Sequence, residues 1–119
     1  MEVTPAHPEG HPLPDDPSAE QVDAATAVFG MLSDATRLRI LWSLRDGDEL
    51  DVTTLAGQAG VGPTAASQHL LKLRLAGLVA TRKDGRRVYY RARGGHLRRL
   101  LTEALFHTDH RLSGEPDHD

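Results

Sequence analysis

The chain contains no cysteine. That removes a disulfide framework, a thiolate nucleophile and any sulfur ligand for a metal. It also lacks an apolar run near the roughly 18–20 residues needed to span a bilayer. Its opening has no basic-then-apolar order of the kind that marks a secretory signal. These absences fit a cytoplasmic protein. Catalytic signatures are missing as well: there is no HExxH, no phosphate-cradling glycine loop, and no Ser/His/Asp set in plausible loops. The expectation is therefore a protein that is not an enzyme. Its 119 residues suffice for one compact domain.

A further absence is regional. Residues 1–33 hold no lysine or arginine, although they carry Glu2, Glu9, Asp15, Asp16, Glu20 and Asp23. The basic residues gather later, with ten between Lys72 and Arg99 against the single acid Asp84. The formal net charge of −3 thus hides a local charge of +9. A phosphate backbone responds to the local patch, because charges beyond a Debye length of about 8–10 Å are screened. An ordinary solvated surface has the same composition, so the patch needs support from motifs.

Punctuation along the chain is clear. Residues 1–17 are rich in proline, glycine and acid, without apolar period, and read as a disordered arm; the tail over 113–119 reads the same way. Ser18 with Gln21 forms a capping-box start for a first helix to about Leu32, with Val22, Ala25, Phe29 and Leu32 at helical spacing. Asp34 is an N-cap for a second helix through Leu38, Leu41 and Leu44, stopped near Gly47. A short third helix, Thr53 to Ala59, halts at Gly60. Gly62-Pro63 then precedes a fourth helix from about Thr64 to Ala76. Two β-rich runs, Leu78 to Lys83 and Arg87 to Arg91, flank Asp84-Gly85, a good hairpin signal. After Gly94-Gly95, a last helix spans about His96 to Leu112. The expected order is α-α-α-α-β-β-α, an α+β, mostly α domain over residues 18–112.

Two short helices joined by a tight turn and followed by a basic hairpin match what duplex DNA demands. The major groove, about 12 Å wide, admits one helix. The fourth helix presents Thr64, Ser67, Gln68 and Lys72 opposite its inward Ala66, Leu70 and Leu73. Hydroxyls, an amide and a cation suit base edges and phosphates, although standing alone Ser67 and Gln68 would read as solvent-facing. His69 borders the buried side, and DNA contact and a structural hydrogen bond are both open to it. Arg86 and Arg87 at the hairpin tip can clamp phosphates or enter the minor groove.

The segments LSDATRLRILWSL and LAGQAGVGPTAASQHLLKLRLAGLVATRKDGRRVYYR resemble the ArsR/SmtB family of bacterial metal-responsive regulators, over about residues 20–112. The resemblance implies a winged helix-turn-helix fold, a homodimer formed by the first and last helices, and binding to double-stranded operator DNA.

His96, His107 and His110 share one face of the last helix. At about 100° per residue, His107 lies about 20° from His96 and His110 about 40° to the other side. A rise of about 1.5 Å per residue separates His96 from His107 by about 16 Å, too far for one ion. His107 and His110, one turn apart, can share one. Antiparallel pairing of two such helices would bring His96 of one chain to the other two histidines of its partner, and this is also the arrangement the resemblance implies. The family pattern, Asp-x-His followed by His-x-x-His or His-x-x-Glu, falls on these three histidines, but its Asp position is Gly94. Asp109, Glu103, His118, His7, His11 or water remain as further ligands. Recruitment from flexible ends resembles the nickel/cobalt-sensing members, so Ni or Co is expected ahead of Zn. Ligands limited to nitrogen and oxygen argue against Cu(I) or arsenic. Two rivals remain: the same fold without metal sensing, and a metal-buffering or trafficking protein that does not bind DNA.

Overall fold

The computed structural model describes residues 15–113, so most of the expected arm and the tail, with His7, His11 and His118, lie outside the described residues. The element order is α1 (Ala19–Leu32), α2 (Ala35–Ser43), β1 (Leu50–Asp51), α3 (Val52–Ala59), α4 (Pro63–Leu75), β2 (Val79–Asp84), β3 (Arg87–Ala92) and α5 (Gly95–Ser113).

Local chemistry accounts for the helix ends. Ser18 caps α1 reciprocally, its Oγ accepting from Gln21 N at 3.1 Å while its own N–H donates to Gln21 Oε1 at 2.8 Å. Asp34 Oδ1 accepts from Arg37 N at 3.0 Å, and Asp51 Oδ1 from Thr54 N at 2.9 Å, which starts α2 and α3. At the other end of α4, Gly77 takes a left-handed φ of +79°. That turn lets Leu78 N reach back to Leu73 O at 2.9 Å and redirects the chain into β2.

Two corrections to the sequence reading follow. The order contains an additional strand, β1, so it is not simply α-α-α-α-β-β-α. With only two residues, β1 has no readable alternation; it exists because β3 offers it an edge, pairing Leu50 with Tyr90 and Asp51 with Tyr89. The antiparallel sheet runs β1-β3-β2. The hairpin turn also sits one residue later than Asp84-Gly85. Asp84 is paired with Arg87, leaving Gly85-Arg86 as the two-residue loop. Gly85 has φ +62° and, among the described residues, none other than glycine has positive φ, the sign pattern of a II′ turn.

The core gathers Ile40, Leu41 and Leu44 of α2 and its C-cap, Leu55 and Ala59 of α3, Leu70 and Leu73 of α4, Val79 of β2, and Leu97 and Leu101 of α5. By contrast α1 has no buried residue; only its last turn, Met31 and Leu32, leans on this cluster.

The capping carboxylates tie stability to acid. Asp34 is held below its ordinary range chiefly by the Arg37 backbone N–H, and Asp51 by the Thr54 backbone and hydroxyl. A depressed folded-state pKa means the contribution is complete above the unfolded value, about 3.9, and is lost as pH falls through the lower, folded one. Urea midpoints should therefore decline below about pH 4. Asp34→Asn, which keeps a capping oxygen without the titration, should decline less steeply; an identical acid limb in both proteins would contradict this.

Candidate nucleic-acid interface and histidine face

α4 has two faces. Ala66, Leu70 and Leu73 are buried, whereas Thr64, Ser67, Gln68 and Lys72 are exposed on the outside. The same burial that fixes the helix presents those four side chains outward. α3 packs against α4 across the short Gly60–Gly62 link, with the left-handed Gly60 (φ +75°) making the tight turn between them.

His69 is half-buried on the edge of this face. Its Nδ1 lies 3.4 Å from Arg37 Nη1, and Arg37 Nε donates to Met31 O at 2.8 Å. A guanidinium only donates, so Nδ1 is the acceptor and the ring proton of neutral His69 sits on Nε2. Arg37 thereby joins the last turn of α1 to α4.

The hairpin formed by β2 and β3 is the wing. Arg86 is exposed at its tip. Arg87, 70% exposed in its side chain, has Nη1 3.7 Å from Asp51 Oδ2. Arg82 Nη2 meets Glu49 Oε1 at 2.8 Å and its guanidinium stacks over Tyr89 at 5.0 Å. Glu49 is held below its ordinary pKa mainly by that Arg82 hydrogen bond. Arg98 Nη2 lies 3.5 Å from Asp46 Oδ1. Counting charge along the sequence hides this: Arg82, Arg87 and Arg98 are each matched by an acid from 46 to 51 that folding brings alongside. Arg74 and Lys83, absent from the sequence-derived DNA set, are exposed and line the cleft between α4 and the wing. Alternation along β2 would have put Thr81 and Lys83 on one face and Arg82 on the other.

On α5, His96, Glu103, His107 and Asp109 are exposed, and His110 lies within the same helix. Among the described residues, no three His, Asp or Glu side chains of one chain gather as a metal cluster. His96 Nδ1 sits 3.0 Å from Arg99 Nη2, which makes that nitrogen an acceptor. At the position where the family pattern has Asp, Gly94 has φ +79° and open space around it. A Cβ there would meet nothing within 4 Å but would sit on a left-handed backbone.

Comparison with known proteins decides what this architecture is. Residues 34–81 match the model of the bacterial regulatory protein, arsR family. The HTH-type transcriptional regulator KmtR of Mycobacterium tuberculosis is 48% identical over 107 residues, covering 90% of this chain and 78% of KmtR. The chain belongs to the ArsR/SmtB family. The HTH-type transcriptional regulator NmtR of the same organism is 37% identical over 110 residues, covering 92% and 91% of the two chains. The homodimeric winged helix-turn-helix DNA-binding domain of Mb0332 from Mycobacterium bovis superposes with a TM-score of 0.73 at 31% identity, over 90% of this chain and all of that one. As an ArsR/SmtB member the chain is a DNA-binding transcription regulator and not an enzyme. The alternative of a metal buffer without DNA binding gives way to this. No described helix is long and apolar enough to cross a membrane.

The Arg37 bridge has a measurable weight. Arg37→Met should cost about 1–2 kcal/mol of stability by urea unfolding, since it removes a charged donor from a half-buried carbonyl. His69→Gln, whose amide oxygen can still accept, should cost less than half as much. Equal losses would show that the contact at His69, not Met31, dominates.

Proposed function

We propose that this regulator is a dimeric, metal-responsive repressor acting in the cytoplasm. Two protomers pair through α1 and α5, setting two copies of α4 against successive major-groove faces of an operator. Thr64, Ser67, Gln68 and Lys72 meet bases and phosphates there, while Arg86 and Arg87 hold the flank. His69 either joins them or, through Arg37, fixes the helix that carries them; its half-buried contact favours the second role.

The observation that carries the dimer is the exposed apolar surface on the two terminal helices. α1 has no fully buried residue within the chain, with Val22 48% and Phe29 58% exposed, and α5 leaves Leu112 87% exposed. A 14-residue helix whose apolar stripe is covered only at its last turn needs a partner surface.

The effector is a divalent cation, Ni or Co ahead of Zn. His96 of one protomer, with His107 and His110 of the partner subunit, would hold it, and Glu103, Asp109 or His118 would complete the set. The donors fit such an ion: imidazoles and carboxylates on an exposed face, with no thiolate anywhere in the chain. A site shared by two chains can bind unequally to two arrangements of the recognition helices. Only that inequality, typically about 1–3 kcal/mol, can shift operator affinity. Within this scheme Arg99 opposes loading. Coordination at His96 Nδ1 uses the lone pair now facing Arg99; coordination at Nε2 needs the proton on Nδ1, where it would face another donor.

One observation favours the same fold without a metal. The left-handed backbone at Gly94 suits glycine where the family pattern has Asp.

Both readings are separable on purified protein and a duplex selected by it from a random pool. Ser67→Ala with Gln68→Ala should relax base preference, and Arg86→Gln should lower affinity on all duplexes. Under the metal reading, Ni or Co should alter operator affinity at least about 5-fold, and His107→Ala should abolish the change. Identical affinity with and without metal would leave only the metal-free regulator. Arg99→Gln should tighten metal binding several-fold; unchanged affinity would show that Arg99 does not guard His96.

A further inference from the structure

We propose that the cleft between α4 and the wing is a seat for the sugar-phosphate backbone of one operator strand, with Arg74 and Lys83 as its two grips. The proposal rests on α4 entering the major groove and the wing reaching the neighbouring minor groove. A single strand separates those grooves, so a protein occupying both must straddle it.

The cleft has the chemistry for that occupant. Ser67, Leu71 and Arg74 form one wall, and Thr81, Lys83 and Tyr90 line the other. Its volume, about 300 Å³, is large beside the roughly 30 Å³ share of one water. Among the described residues no carboxylate lines it. The wing sorts its cations by face: Arg82 and Arg87 are matched by Glu49 and Asp51, while Lys83 points to the α4 side. Among the described residues neither Arg74 nor Lys83 forms an ion pair, so neither must give up an acid to take a phosphate. Cations approaching from opposite walls, with the hydroxyls of Ser67 and Thr81 between them, suit the oxygens of a phosphodiester. Leu71, 49% exposed on the outer face of a helix whose Leu70 and Leu73 are fully buried, offers an apolar rest for deoxyribose.

The test uses the full chain and a duplex selected by it from a random pool. In the proposed dimer each substitution removes two phosphate contacts, so Arg74→Gln and Lys83→Gln should each reduce the slope of log affinity against log salt by about 1.8. They should weaken selected and unrelated duplexes by the same factor, and Arg74→Lys should restore the slope. Single methylphosphonate replacements along both strands locate the seat. One or two adjacent neutralised positions in each half-site should weaken the wild type but not the Arg74→Gln, Lys83→Gln double variant. Slopes within error of wild type in folded variants, or replacements that act equally on both proteins at every position, would overturn the proposal. If Ser67→Ala with Gln68→Ala still relaxes base preference in that case, the helix placement stands and only the cleft fails. If neither set of variants has an effect, the placement of α4 in the groove fails as well.

Discussion

The buried edge of α4 is the constraint on which the rest depends. Leu70 and Leu73, wholly inaccessible, lock into Ile40, Leu41 and Leu44 from α2 and Leu55 from α3. A helix periodic at 3.6 residues cannot bury one stripe without presenting another. The outward direction of Ser67 and Gln68 is thus a by-product of core packing. Removing a buried leucine methyl costs stability through lost burial and an unfilled cavity, and here it would also loosen the platform that aims the recognition face. Function and folding share the same contacts.

The second organising fact is that charge is distributed by tertiary pairing. The acids Asp46, Glu49 and Asp51 sit in the connection from α2 to α3, far in sequence from the arginines they face. Exposed pairs of this kind contribute little stability. Their larger effect is on where positive potential remains, because they quench one side of the wing and leave the side toward α4 unmatched. Asp51 holds three jobs at once: it ends β1, caps α3 and faces Arg87.

Much of this was legible in the sequence, for identifiable reasons. Caps and stops are local, so Ser18, Asp34, Gly60 and Gly77 marked their helix ends correctly to within a residue or two. The inward and outward faces of the fourth helix follow from its period alone. The strand at Leu50–Asp51 was not legible, since two residues carry no pattern and their pairing belongs to β3. Nor was the turn register: Asp-Gly favours one loop, but pairing of Asp84 with Arg87 moved it to Gly85-Arg86. The ion pairs and the cleft cations required three dimensions, and the Arg37–His69 contact joins residues 32 apart in sequence. The histidines of the last helix were visible as a pattern, yet among the described residues of one chain no three-ligand cluster forms, because His96 and His107 are about three helical turns apart.

The small strand β1 has a mechanical consequence. It braces β3 at Tyr89 and Tyr90, so only two residue pairs, Lys83 with Val88 and Asp84 with Arg87, project past it before the turn. At about 3.4 Å per residue that overhang is some 7 Å. So short a lever has little configurational freedom to surrender when it meets a duplex. On the proposed placement the wing would meet its groove already shaped, so a groove of unmatched width would deform the nucleic acid rather than the protein.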